Sequence, residues 1–95
     1  MFTGKKVLIT GALGTLGQAL VGRFADEHAE IYAWDRPDSP NAQRTLDQIA
    51  QGVTFVGEDL NDLAATQARA ISLADEVRGF DMLVNNAAYV TNKPH

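Results

Sequence analysis

Lys6 to Thr10, "KVLIT", is a run of β-branched and apolar residues that stops at a glycine. No polar position alternates through its centre, so it predicts a strand buried on both faces. The period changes at Thr15. Leu16, Leu20, Val21 and Phe24 recur at helical spacing with Arg23, Asp26 and Glu27 between them, which predicts an amphipathic helix ending near His28. Glu30 to Asp35, "EIYAWD", is the second strand, and the polar, proline-bearing "RPDSPN" after it is a loop. Ser39 is placed to cap a second helix with Pro40 at its first position. Ala42, Leu46, Ile49 and Ala50 are its apolar positions, and Gly52 ends it. Val53 to Gly57 is the third strand. Asn61 caps a third helix whose apolar face is Leu63, Ala70, Ile71, Ala74 and Val77, and which Arg78 and Gly79 finish. Asp81 to Asn85 is the fourth strand.

The order is β-α-β-α-β-α-β. A single helix between two strands returns the chain to the starting edge, so the strands run parallel. Right-handed crossovers then give an α/β fold in three layers, half of a doubly wound sheet. The expected strand order is 3-2-1-4, with two of the three helices on one face and the third on the other. Residues 1–95 read as a single domain, and the outer edge of the fourth strand is expected to be bare.

Composition narrows the function classes. A chain of 95 residues, 45% hydrophobic and 21% charged, has enough apolar material for a core and argues against disorder. Its net charge of −4, with eight scattered Lys and Arg, disfavours a nucleic-acid partner. There is no cysteine, and His28 and His95 lie far apart in sequence, so no metal constellation is visible. No apolar run is long enough to span a bilayer, and the first residues lack the pattern of a signal peptide. No membrane association and a cytoplasmic location are therefore expected.

The candidate chemistry lies in the turns. "TGALGTLG" sets Gly11, Gly14 and Gly17 between the first strand and the first helix. The first glycine permits a tight turn, the next lets backbone approach a pyrophosphate, and the last lets helix and strand pack closely. The helix start then offers free N–H groups and a positive dipole end to phosphates. The alternative is a tight turn with no ligand. Asp35 closes the second strand, eighteen positions after Gly17. A carboxylate there can accept both hydroxyls of an adenosine ribose. It would repel a 2′-phosphate by about 4 kcal/mol at about 4 Å in an effective dielectric of about 20. That favours NAD over NADP, and Arg36 can offset part of the repulsion. Asp59 follows the third strand, placed either to accept the adenine amino group, with Leu60 against the ring, or to cap a helix. Asn86 can tie strand ends together through donor and acceptor, and Ala87 and Ala88 leave room for a ribose. Gly11, Asp35, Asp59 and Asn86 all fall at carboxyl ends of predicted strands, the rim along which parallel sheets bind ligands.

These residues resemble the short-chain dehydrogenase/reductase superfamily: "TGALGTLG", "WD", "EDL" and "NNAA" stand in that family's order and close to its spacing. The resemblance covers nearly the whole chain but only the first part of a family member. It implies a Rossmann-type fold that binds NAD through Thr10, Gly11, Leu13, Gly14, Thr15, Leu16, Gly17, Asp35, Arg36, Asp59, Leu60, Asn86, Ala87 and Ala88. It also implies hydride transfer between the cofactor and a small alcohol or carbonyl substrate. Gly14 looks like the extended members, which include epimerases and dehydratases, whereas "NNAA" looks like the compact ones. A non-catalytic dinucleotide-binding module is the further alternative. The family's catalytic Ser, Tyr and Lys come well after the Asn-Asn-Ala turn, Tyr and Lys one helical turn apart. Tyr89 and Lys93 have that spacing, but β-branched Val90 and Thr91 and the proline at 94 oppose a helix there. The pair is expected to be coincidental, and the chain to be a truncated, inactive cofactor-binding part. A homo-oligomer or a complementary chain is expected at the bare edge.

Overall fold

Four parallel strands form one sheet in the order β3-β2-β1-β4. The computed structural model describes residues 3–58 and 63–86. The elements are β1 (Lys6–Thr10), α1 (Thr15–Asp26), β2 (Glu30–Asp35), α2 (Ala42–Ile49), β3 (Thr54–Gly57), α3 (Leu63–Val77) and β4 (Met82–Asn85). β1 sits in the middle, with Ile9 level with Ala33 of β2 and Val84 of β4. Its four residues Val7 to Thr10 are all buried, which is why the run carries no alternation.

The pleat sends alternate residues to opposite faces. Val7, Ile9, Ile31 and Ala33 form one core with Val21 of α1 and Leu46 of α2. Leu8, Trp34 and Val56 form the other with Leu73 of α3. Two helices therefore cover one face and the third covers the other, the three-layer α/β arrangement expected. Trp34 is buried, and its indole N–H donates to the Glu58 carbonyl (3.3 Å), so its polar atom is satisfied. Among the described residues, no helix is long and apolar enough to cross a membrane.

Several boundaries differ from expectation for local reasons. α2 begins at Ala42, not at Pro40. Asn41 takes the left-handed conformation (φ 54°) before it, and its carbonyl accepts from the Thr45 N–H (2.9 Å). α2 also ends at Ile49, because Ala50 is already extended, and Gly52 (φ 81°) shapes the turn that follows. α1 ends at Asp26, and His28 beyond it is left-handed (φ 65°). Arg78 lies past α3 rather than in its last turn, and is itself left-handed (φ 66°). Ile71 is 72% exposed instead of packed. Ala70, Leu73 and Val77 share the inward stripe at three- and four-residue spacing, and Ile71 falls to its side. The proposed cap Asn61 lies outside the described residues.

The two sheet edges are unlike. On β3, the side-chain amide of Gln43 accepts from the Phe55 N–H (3.3 Å) and donates to the Val53 carbonyl (2.8 Å). It occupies two outward backbone groups that a neighbouring strand would otherwise use. β4 is the terminal strand on the other side, and its Leu83 is 63% exposed.

Candidate functional site

The carboxyl ends of β1, β2 and β4 meet around the turn that joins β1 to α1. Gly11 takes φ 66°, which lets the chain leave β1 and turn back at once. Its carbonyl then becomes a hub: it accepts from the Gly14 N–H (3.2 Å) and from Asn86 Nδ2 (3.3 Å). Gly17, in the first turn of α1, is packed so near that a Cβ on it would lie 2.0 Å from the same oxygen. Only a residue without a side chain lets helix and strand approach this far.

β2 joins the loop through Asp35. The Leu13 N–H donates to Asp35 Oδ2 (2.8 Å), and the Arg36 N–H donates to Oδ1 (2.8 Å). Each oxygen keeps acceptor capacity beyond its one bond. The Ala12 N–H donates to the Trp34 carbonyl (3.3 Å), a second tie between loop and β2. Arg36 pairs with Asp38 at 3.1 Å, both side chains largely exposed. β4 joins through Asn86. Its N–H donates to Thr10 Oγ1 (3.0 Å), while its side chain reaches the Gly11 carbonyl across from the neighbouring strand.

α1 starts at this rim with no side-chain cap on Gly14 and no acidic residue in its first turn. Its first N–H groups and the positive end of its dipole are therefore left for an anion. Leu16, read as part of the apolar face of α1, is instead 63% exposed beside the loop, an apolar surface at the crevice. An open groove on the outer side of α1, lined by Leu20, Arg23, Phe24 and Glu27, lies toward the helix's other end and away from this rim.

The structure thus brings Thr10, Gly11, Leu13, Gly14, Thr15, Leu16, Gly17, Asp35, Arg36 and Asn86 to one rim. Asp59, Leu60, Ala87, Ala88, Tyr89 and Lys93 lie outside the described residues. One contributor was missed in the sequence: Gln18, whose side-chain N–H donates to the Leu13 carbonyl (2.7 Å). A polar residue directly after the third glycine is its only signal, and that does not say which way the side chain turns.

Comparison with known proteins agrees with this fold. The family model for short chain dehydrogenases matches residues 5–95. The oxidoreductase UcpA of Escherichia coli is 38% identical over 89 residues, covering 90% of this chain and 33% of that protein. A glucose 1-dehydrogenase of Gluconobacter oxydans is 32% identical over 102 residues, covering 98% of this chain and 36% of its own length. The crystal structure of a 3-ketoacyl-(acyl-carrier-protein) reductase from Brucella melitensis complexed with NADH superposes with a TM-score of 0.74 at 32% identity. It covers 90% of this chain and 35% of that one. The chain spans about a third of the length of the relatives it matches.

Proposed function

We propose, given that the chain belongs to the short-chain dehydrogenase family, that it is the NAD-binding part of an oxidoreductase acting on an alcohol or carbonyl substrate. Residues 1–95 form one cofactor-binding domain in this reading. Gly11, Leu13, Gly14, Thr15, Leu16 and Gly17 border the pyrophosphate, Asp35 takes the adenosine ribose, and Asn86 with Ala87 and Ala88 borders the nicotinamide ribose. Asp59 and Leu60 are assigned to the adenine. Bound NAD supplies hydride chemistry, and the residues of this chain supply position. The catalytic pair is not assigned to Tyr89 and Lys93, and the chain alone is expected to bind the adenosine half weakly without turnover. The terminal β4 edge, with Leu83 exposed, is where a complementary segment or a second copy would add. The cytoplasm is the proposed location.

The observation that carries the reading is the Asp35 carboxylate. It stands at the carboxyl end of β2 and bonds the glycine loop in front of an uncapped helix start. Oxygens held this way accept a ribose diol, whereas a 2′-phosphate would bring like charge beside them. Arg36, the next residue, already pairs with Asp38, so it offsets that repulsion little. An exposed pair of this kind contributes at most about 1 kcal/mol, so Asp38 modulates the preference and Asp35 sets it. Calorimetric titration with NAD and NADP tests this. NAD is expected to bind at least tenfold more tightly, and a preference for NADP removes the role given to Asp35.

A further inference from the structure

Leu13 stands mid-loop between Gly11 and Gly14, and both peptide planes flanking it are held. The Ala12–Leu13 plane is fixed through the Leu13 N–H, which donates to Asp35 Oδ2 at 2.8 Å. The Leu13–Gly14 plane is fixed at both ends. Its carbonyl accepts from Gln18 Nε2 at 2.7 Å, and its N–H donates to the Gly11 carbonyl at 3.2 Å. Peptide groups are planar, so fixing these two planes fixes both soft dihedrals of Leu13. Asp35 comes from β2, 22 positions away, and Gln18 from the first turn of α1, five positions away. The Gln18 backbone N–H also opens the helix, bonding the Gly14 carbonyl at 2.9 Å. One residue thus starts α1 with its main chain and reaches back to the loop with its side chain.

We propose that Gln18 is a positioning residue for the dinucleotide's pyrophosphate. With Asp35 it clamps the two Leu13 peptides, so that the glycine loop stands in its binding shape before ligand arrives. The inference rests on the dinucleotide reading above. A glycine-rich loop left free has many conformations, and ordering it on binding lowers affinity. A loop already held avoids that loss. Gln18 acts through Leu13, whereas Asp35 both holds the loop and takes the ribose.

Gln18→Met tests the clamp, because methionine keeps length and helix propensity and removes the donor. The full chain is titrated with NAD, ADP and adenosine, and amide exchange is followed in the free protein. NAD and ADP are expected to weaken about fivefold, the size of one neutral hydrogen bond. That is about 1 kcal/mol. Adenosine, which carries no phosphate, keeps its affinity, the melting midpoint falls by no more than the roughly 4–8 °C of one lost bond, and the Gly14 amide exchanges faster. Equal weakening of all three ligands means a merely structural glutamine and overturns the proposal. So does an unchanged ADP affinity or an unchanged Gly14 exchange, and in those cases wild-type binding leaves the dinucleotide reading standing. If the wild-type chain binds none of the three while Gly14 exchange still responds to Gln18→Met, the dinucleotide reading fails and takes the positioning role with it.

Discussion

Asp35 and Asp81 use the same device at opposite ends of the sheet. Asp81 Oδ2 accepts the Lys6 N–H (2.8 Å), and the Asp81 N–H donates to the Lys6 carbonyl (2.8 Å). The Lys6 ammonium adds a bond to the Val77 carbonyl. At this amino-end rim the aspartate closes a reciprocal tie between the entry to β4 and the start of β1. At the carboxyl-end rim, Asp35 ties a loop instead of a strand. The contrast follows from topology. In parallel β-α-β units every helix starts at the carboxyl-end rim and finishes at the other. Positive dipole ends therefore gather beside Asp35, and helix carbonyls gather beside Asp81. A bond to backbone N–H groups is available at both rims, but helix dipoles favour a further anion at only one. Left-handed turn residues occur at both rims: Gly11 (φ 66°) follows β1 at the crevice rim, and His28 (φ 65°) follows α1 at the other.

The two rims can be set against each other by substitution. The largest effect is expected at Gly17. A methyl group there meets the Gly11 carbonyl at 2.0 Å, and backbone cannot swing aside as a flexible side chain does. Gly17→Ala should cost about 3 kcal/mol in urea unfolding and abolish NAD binding. Next come the aspartates, each replaced by alanine. Asp35→Ala should weaken NAD at least tenfold, the loss of hydrogen bonds to a charged acceptor. Asp81→Ala should instead lower stability by about 1 kcal/mol, as expected for an exposed carboxylate, and leave NAD affinity unchanged. If calorimetry shows the two variants losing NAD alike, the division between the rims is wrong.

His28→Gly should raise stability by about 0.5 kcal/mol, since glycine takes the left-handed turn without strain but frees the unfolded chain. A lower melting midpoint for that variant would contradict it. The smallest effect concerns Tyr32, whose phenol donates to Glu30 and meets the Phe80 ring edge-on at 5.4 Å. The bond to Glu30, then burial, push its pKa up to about 12. A folded-state pKa above the unfolded value of about 10 gives a contribution present in full below pH about 10. It is lost as pH rises through about 12. Stability measured across that window should fall in the wild type and fall less in Tyr32→Phe.

Much of this molecule is legible residue by residue. "KVLIT" has no polar alternation because β1 is covered on both faces. Single helices between strands force parallel pairing, and parallel pairing puts the turn glycines and Asp35 on a common rim. The helix boundaries were less legible. Ser39 and Pro40 have the chemistry of a helix start, but Asn41 reaches the left-handed conformation just before Ala42 and the helix begins there. Ile71 has helical spacing, yet it is exposed, and the stripe of Ala70, Leu73 and Val77 packs with Leu8 and Trp34 instead.

Local spacing and residue chemistry were therefore enough for the strand order, the glycine turn and the identity of the carboxylate beside it. They act over a few positions, where sterics and hydrogen bonding leave few choices. Packing assigned the partners. Asp35 bonds the Leu13 N–H across 22 positions, and Asn86 reaches the Gly11 carbonyl across 75. Gln18 turns back onto the loop, and Gln43 covers the β3 edge. A side chain's type says what it can donate or accept, but only the assembled layers bring a particular backbone group within its reach.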